Sequence, residues 1–161
     1  DNTTACALRF LMLTAARSSE VRFATFGEVR DGAWHLSEDR TKTGKSMRVP
    51  LSDEALRIVE KAKTRSKAEL LFPSPNGGAL SENAMSLFMK RAKMTARPHG
   101  LRATFRTWAE HETDADWETK ERALGHTGGN KVARAYQRSD SFTKRRKLLD
   151  AWSKYLSEEP N

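Results

Sequence analysis

Short strand-like segments, separated by two glycine-containing turns, interrupt a chain whose other periodic segments are helical. The first turn is Asp31-Gly32, a pair typical of two-residue β-hairpins because both positions require positive φ. The second turn is Thr43-Gly44. Strands joined by such short connections pair antiparallel. The pattern therefore predicts a small antiparallel sheet built from residues 26–30, 33–36 and 47–51.

Apolar residues at helical spacing dominate the rest of the chain, and candidate N-terminal caps precede most of these segments. In the helix that follows Pro98, the residues Leu101, Phe105 and Trp108 fall on one stripe. The expected fold class is therefore mostly α with a small antiparallel β-sheet (α+β). Predicted helices begin near Thr3, Arg17, Ser52, Ser81, Pro98, Glu118 and Phe142.

The bulk composition indicates one compact, basic domain. The chain has 161 residues, enough for a real core, and a formal net charge of +8. This charge favours a polyanionic partner, with nucleic acid ahead of an anionic membrane. Cys6 is the one cysteine, so an intramolecular disulfide is impossible, as is typical of a reducing cytoplasm. The apolar run from Leu8 to Ala16 contains Arg9 and is too short to span a bilayer.

Side chains that suit phosphate chemistry recur along the chain. His99 and Arg102 fall on a side of their helix away from the apolar stripe, so they can line a polar cleft. Pro98 places His99 in the first helical turn, where a phosphate is also favoured. Arg17 and Glu20 are three residues apart and share a helix face. The further candidates are Lys42 near the second turn, His126 after Gly125, and Tyr136.

Each candidate also has a simple structural interpretation when it is taken alone. Arg17 can pair with Glu20, His99 can cap its helix, and Tyr136 can be a half-buried core residue. Together, the set combines cations and imidazoles for a phosphate with one phenol as nucleophile. Tyr155, the second tyrosine, shares a helix face with apolar residues, which favours packing. The histidines lack metal-ligand spacing and the chain has a single cysteine, so a metal site is not expected.

In the order Arg, Lys, His-x-x-Arg, Gly-His and Tyr, these residues resemble the active site of tyrosine recombinases, the phage-integrase family, and most of all integrases of temperate phages and genomic islands. Two positions depart from the family pattern. Ala15 stands where the family often has glycine, and Tyr136 follows His126 by ten positions, one more than the commonest spacing. Island integrases share this longer spacing. The resemblance covers nearly the whole chain and is strongest in residues 17–20, 41–51, 99–102 and 124–136.

The resemblance implies a metal- and ATP-independent enzyme that exchanges strands at specific sites in duplex DNA. Tyr136 would attack a scissile phosphate, leaving a 3′-phosphotyrosyl link and a free 5′-hydroxyl. Lys42 would protonate the departing 5′-oxygen, and His99 would bind the phosphate and assist proton transfer from Tyr136. The remaining implied roles are binding of non-bridging oxygens by Arg17, Arg102 and His126, and orientation of the neighbouring basic groups by Glu20.

By the same resemblance, residues 1–161 form a single catalytic domain of a longer integrase whose N-terminal DNA-binding domains are absent here. Residues 142–161 form a C-terminal helix or tail that either packs on its own core or docks on a neighbouring protomer. The expected partners are double-stranded DNA at attachment sites and further copies of the protein, as a tetramer on DNA. Accessory DNA-bending or excision factors are candidate partners, and no membrane partner is expected. The enzyme would work in the bacterial cytoplasm, at the nucleoid, on a mobile element.

Two other functions stay open. The first is a type IB topoisomerase-like DNA relaxase, which would relax supercoiled plasmid without recombining paired sites. The second is a non-catalytic DNA-binding module derived from an integrase. An intact set of candidate residues argues against the second, because a module that only binds DNA needs neither the nucleophile nor the general acid.

Overall fold

The computed structural model describes residues 2–65, 68–126 and 141–158, and the expected mostly helical fold with a small antiparallel sheet is confirmed. Within the described ranges, no helix has both the length and the apolar character needed to cross a bilayer. The helices are α1 (Thr3–Thr14), α2 (Ser18–Arg22), α3 (Asp53–Arg65), α4 (Ala84–Arg91), α5 (Pro98–Glu112), α6 (Trp117–Ala123) and α7 (Phe142–Ser157). The strands are β1 (Val29–Arg30), β2 (Ala33–Leu36) and β3 (Met47–Pro50), with short 3-10 turns at Phe26–Glu28 and Glu38–Arg40.

The Asp31-Gly32 turn closes a β-hairpin, as the sequence predicts. Asp31 has φ of 53° and Gly32 has φ of 67°, the paired positive values of a type I′ turn. Strands β1 and β2 pair antiparallel, with Val29 opposite Trp34. Strand β3 then pairs with β2, so the sheet has the order β1-β2-β3.

The first strand is shorter than the sequence pattern indicates. Residues 26–28 form a 3-10 turn, and only Val29–Arg30 pairs as a strand. The Glu28 carboxylate accepts hydrogen bonds from the Thr25 backbone N–H at 3.0 Å and from the Trp34 indole N–H at 2.9 Å. Because these contacts hold the chain in a tight turn around Glu28, the extended conformation begins only after that residue.

Buried aromatic side chains join the sheet and the helices into one core. Phe10 of α1 and Trp34 of β2 are fully buried, with ring centroids 5.3 Å apart in an edge-to-face arrangement. Phe105 of α5 packs in the same manner on Trp152 of α7 at 5.5 Å. The Trp152 indole N–H donates to the Met12 carbonyl at 2.7 Å. The apolar face of α7 therefore packs on its own domain.

Arginine side chains fix the first turn of α7 to the sheet. Arg145 donates to the Arg48 carbonyl of β3 at 2.5 Å. Arg146 donates to the Gly32 carbonyl of the hairpin turn at 2.9 Å. These contacts join the sheet to residues that follow it by about 100 positions in sequence, so the start of α7 has a defined place beside β3.

Helix α7 is also linked to α6 through an ion pair. Lys144 Nζ lies 2.7 Å from Asp116 Oδ2, and Asp116 caps α6 by accepting from the Thr119 backbone N–H at 2.7 Å. The hydrogen bond from Lys144, and then those from Thr119, lower the pKa of Asp116 from 3.8 to about 2. A carboxyl group whose pKa is depressed by folding stabilises the fold above its unfolded-state pKa, and this contribution is lost as the pH falls through the folded-state value.

We expect Asp116→Asn to lower the free energy of unfolding by about 1 kcal/mol or less at pH 7, because the pair is half exposed and solvent screens it. Asparagine keeps the cap oxygen, so the variant isolates the charge. In urea unfolding, the difference from the parent protein should shrink as the pH falls from about 4 toward 2. Asp114→Asn, an exposed neighbour, is the control. A difference that stays constant over this pH range would contradict the assignment.

Candidate active site

Arg17 and Glu20 form a fixed corner between the first two helices. Helix α1 ends at Thr14, and Ala15 adopts the left-handed conformation with φ of 49°, which turns the chain so that Arg17 precedes α2 as its N-cap. The buried Glu20 carboxylate accepts from the Arg17 backbone N–H at 2.8 Å and from the Arg17 guanidinium at 3.0 Å. These two bonds hold the Arg17 side chain in one direction.

Arg102 joins segments that are distant in the sequence. One terminal guanidinium nitrogen donates to the Ala15 carbonyl at 2.5 Å, and the other donates to the Leu124 carbonyl at 2.6 Å. Helix periodicity predicts that Arg102 lines an open polar cleft. In the structure Arg102 is only 6% exposed, so it lies deeper than predicted. The guanidinium thereby holds the end of α1 against the turn that follows α6.

Positive charge is concentrated around this buried guanidinium. Burial, and then the nearby charge of Arg17, lower the pKa of Arg102 to about 10, while the carboxylate of Glu20 opposes this shift. Arg102 is still charged at neutral pH. A guanidinium has five N–H groups. The hydrogen bonds to the two carbonyls use one N–H on each terminal nitrogen, so the remaining N–H groups can donate to another acceptor. Two neighbouring arginines balanced by one carboxylate suit an anion such as a phosphate.

The turn after α6 places His126 in the same region. Gly125 has φ of 64°, and a Cβ at this position would lie 3.5 Å from an Arg17 guanidinium nitrogen and 3.0 Å from the Met47 sulfur. Glycine therefore allows both the left-handed turn and the close approach of Arg17. The predicted site residues that this geometry brings together are Arg17, Glu20, Arg102 and His126.

Glu121 is a polar residue of this region that the sequence interpretation missed, and it contacts both His126 and Arg106. His126 Nδ1 lies 2.8 Å from one oxygen of Glu121, and the other oxygen accepts from Arg106 Nε at 2.8 Å. Glu121 precedes His126 by five residues, whereas residues on the same face of a helix are three or four apart. The sequence therefore carries no clear signal for this pair. The described part of the chain holds no group of three or more His, Cys, Asp or Glu residues that could hold a metal ion.

His99 lies at the start of α5, one helical turn before Arg102. Pro98 is buried at the first helical position, and the His99 side chain that follows it is exposed. The three-residue spacing puts His99 and Arg102 on one side of α5. His99 is therefore exposed on the side of α5 that carries Arg102.

Lys42 lies in an exposed turn between the Glu38–Arg40 turn and β3. Thr41 closes this turn, because its hydroxyl donates to the Lys45 carbonyl at 2.8 Å and accepts from the Lys45 backbone N–H at 3.1 Å. The turn thus has a defined backbone shape, with the Lys42 side chain available to a ligand.

Arg40 attaches the Lys42 turn to the corner that holds Arg17. Its Nε donates to a Glu28 carboxylate oxygen at 2.8 Å, and its Nη2 donates to the Glu20 backbone carbonyl at 3.0 Å. Both Arg40 and Glu28 are mostly buried. These contacts were not predicted from the sequence, and they connect the lysine turn to α2 through the Arg40 side chain and the Glu20 backbone carbonyl.

A profile of the phage integrase family matches residues 1–142 of the chain. The chain belongs to the phage integrase family. Prophage integrase IntA of Escherichia coli (strain K12) is 34% identical over 159 residues, which cover 94% of this chain and 38% of IntA. The integrase of Enterobacteria phage P4 is 28% identical over 180 residues, which cover 98% of this chain and 41% of that protein. The chain thus spans about two fifths of the length of these relatives.

Solved structures of lambda integrase share the fold of this phage integrase family member. The lambda integrase catalytic core superposes with a TM-score of 0.61 at 18% identity, over 80% of this chain and 82% of that chain. A lambda integrase tetramer bound to a Holliday junction gives a TM-score of 0.61 at 19% identity, over 82% of this chain and 41% of that chain. At this level of identity, the likeness establishes the fold.

Tyr136, the predicted nucleophile, lies outside the described residues, between His126 and Ser141. The other tyrosine, Tyr155, lies on α7, half exposed, with its ring stacked on Trp152 at 5.5 Å between centroids. Tyr155 therefore has the packing role that the helix pattern indicates.

Proposed function

We propose that the chain is the catalytic domain of a site-specific DNA recombinase, which cuts and rejoins duplex DNA through a 3′-phosphotyrosyl intermediate. The observation that supports this best is that Arg17 and Arg102, from distant parts of the sequence, lie near the buried Glu20, with the turn of Gly125 and His126 packed beside Arg17. Such a set of cations and an imidazole suits a phosphodiester, in a chain that belongs to the phage integrase family.

The proposed reaction is a displacement at the scissile phosphorus. The Tyr136 hydroxyl oxygen forms a bond to phosphorus, and the bond from phosphorus to the 5′-oxygen breaks. His99 assists removal of the Tyr136 proton, and Lys42 gives a proton to the departing 5′-oxygen. The energy of the ester is kept in the phosphotyrosyl bond, so attack by a 5′-hydroxyl rejoins the strand without ATP.

In this proposal, the two arginines stabilise the transition state. Arg17 and Arg102 bind the non-bridging oxygens, where negative charge accumulates, and His126 donates a further hydrogen bond. Glu20 orients Arg17 for this contact. The positive groups then supply the charge that a metal ion supplies in many other phosphoryl-transfer enzymes, so no cofactor enters the proposed reaction.

The full-length protein is proposed to act at DNA attachment sites as a tetramer and to integrate or excise a mobile element. The relatives are prophage and phage integrases, and lambda integrase is known as a tetramer bound to a Holliday junction. Residues 1–161 would then be the catalytic domain of a longer protein whose other parts add DNA affinity. Helix α7 buries Trp152 in its own domain. If the 142–161 segment docks on a neighbouring protomer, the contact would therefore use the exposed side of α7, where Tyr155 lies half exposed.

Covalent trapping tests the proposed chemistry directly. The protein would be incubated with a pool of nicked duplexes of randomised sequence, in which cleavage near the nick releases a short fragment and prevents rejoining. Adducts that survive denaturation would be isolated in the presence of a chelator, the attached peptide mapped and the trapped DNA sequenced. We expect one adduct site, at Tyr136, and an enriched DNA sequence. DNA binding without an adduct would favour the non-catalytic module, and plasmid relaxation without recombination of paired sites would favour the topoisomerase-like function.

Lys42 is expected to act as the general acid. In Lys42→Ala, cleavage of ordinary DNA should slow by a factor of about 100 or more, because the 5′-oxygen departs without a proton. A substrate with sulfur in place of that bridging oxygen should restore most of the rate, since a thiolate leaves readily unprotonated. Single-turnover cleavage of both substrates measures the effect.

Lys45→Ala is the matched control for the Lys42 variant. Lys45 lies in the same turn, and it contributes there through its backbone bonds to Thr41. Its removal should leave both substrates cleaved at nearly the parent rate. Sulfur rescue of Lys45→Ala, without rescue of Lys42→Ala, would reverse the assignment.

A further inference from the structure

A carboxylate links the imidazole of His126 to a neighbouring guanidinium. One carboxylate oxygen of Glu121, on α6, lies 2.8 Å from His126 Nδ1. The other oxygen accepts a hydrogen bond from Arg106 Nε of α5, also at 2.8 Å. The Glu121 side chain is only 16% exposed, whereas the His126 side chain is 45% exposed. One end of the imidazole is therefore tied to a buried carboxylate, and much of the ring stays available to a ligand.

Further charges hold Glu121 in place. Arg106 Nη1 lies 2.6 Å from Glu110, and Glu110 also receives Lys120 Nζ at 3.1 Å. Burial raises the pKa of the Glu121 carboxyl, but hydrogen bonds from Arg106 and then His126 outweigh it, so the pKa falls below its usual value. Glu121 is therefore a carboxylate at neutral pH, and it can only accept hydrogen bonds.

We infer that Glu121 is a positioning residue for His126, which fixes the imidazole with its proton on Nδ1 and leaves Nε2 for the phosphate. The catalytic part of this inference rests on the proposed recombinase function. A hydrogen bond at one ring nitrogen sets which nitrogen carries the proton. With Nδ1–H committed to Glu121, Nε2 is the ring nitrogen left to face a phosphate oxygen, and donation from it requires a proton on that nitrogen as well.

The arrangement requires a carboxylate in particular. Both partners of Glu121 donate, so each oxygen must accept. Glutamine has nearly the same shape but offers one acceptor and one NH₂ donor. In Glu121→Gln, the amide oxygen can accept a hydrogen bond from either Arg106 or His126. The NH₂ group then faces the other residue, which is also a donor, so that hydrogen bond is lost. The imidazole would then lose either its partner or its fixed protonation.

The test compares Glu121→Gln with Glu118→Gln. Glu118 lies on the same helix and loses the same charge, but its partner is Arg122, at 2.8 Å, away from His126. Nitrogen-15 NMR of the histidine rings reports which nitrogen is protonated, and His126→Gln identifies the signal among the four histidines. We expect the neutral His126 ring to carry its proton on Nδ1 in the parent and in Glu118→Gln, and to lose this preference in Glu121→Gln.

Cleavage of a suicide duplex supplies the functional readout. Glu121→Gln should slow single-turnover cleavage by about tenfold or more, an effect similar to the loss of the carboxylate partner of a metal-ligating histidine. Glu118→Gln should stay within about twofold of the parent. In a His126→Ala background, Glu121→Gln should have little further effect, because the two residues act as one unit.

Two results would overturn the inference: unchanged His126 ring protonation in Glu121→Gln, or an equal loss of cleavage with and without His126. Thermal unfolding of each variant separates these outcomes from a general loss of fold. The NMR measurement needs no DNA. If the parent protein formed no covalent adduct, the proposed recombinase function would fail while the link between Glu121 and His126 could still be confirmed or rejected.

Discussion

Replacement of Tyr136 by phenylalanine is expected to abolish the covalent protein–DNA adduct. Phenylalanine lacks the oxygen that would form the bond to phosphorus, so cleavage should fall below detection. DNA binding should be retained, because binding depends on cationic side chains and their contacts with phosphates. Denaturing electrophoresis measures the adduct, and a gel-shift assay measures binding by the same protein.

Tyr155→Phe is the matched control, because the chain contains two tyrosines. The ring of Tyr155 stacks on Trp152 and packs beside Trp108, and phenylalanine keeps both contacts. The variant should therefore form the adduct at the parent rate. An adduct that persists in Tyr136→Phe and disappears in Tyr155→Phe would show that the nucleophile has been assigned to the wrong tyrosine.

Local patterns in the sequence predicted the elements that depend on short-range chemistry. The Asp31-Gly32 pair predicted the type I′ hairpin because its positive φ values are a property of those two residues. The apolar stripe of α5 predicted which face is buried, and Phe105 and Trp108 lie in the core. The strand predicted at 26–30 was too long, because the Glu28 carboxylate bonds to the Thr25 backbone and to the side chains of Trp34 and Arg40, and strand periodicity does not describe these contacts.

The candidate residues came from their order in the sequence, and their geometry could not have been predicted in the same way. Arg102 contacts the carbonyls of Ala15 and Leu124, which are 87 and 22 residues away. Its burial depends on three segments packing together, and helix periodicity describes only one of them. The contact between Glu121 and His126 likewise arises from a turn closed by Gly125, whose left-handed conformation was not anticipated.

Replacement of Arg102 by lysine is expected to impair both stability and catalysis, although it keeps the charge. A lysine ammonium is a single point on a flexible stem and lacks the planar fork of a guanidinium. It cannot reach the carbonyls of both Ala15 and Leu124, so one buried carbonyl loses its partner. The free energy of unfolding should fall by about 1–3 kcal/mol. Urea unfolding at neutral pH measures this loss.

The catalytic effect of Arg102→Lys should exceed its effect on folding. Loss of one well-placed donor to the developing charge typically costs a factor of about 100–1000 in rate. Cleavage should therefore be strongly reduced under conditions in which the variant is fully folded. Arg57→Lys, at a position 71% exposed on α3, is the matched control and should change stability by less than about 0.5 kcal/mol. Parent-like cleavage by a folded Arg102→Lys protein would show that Arg102 holds the backbone together without binding the phosphate.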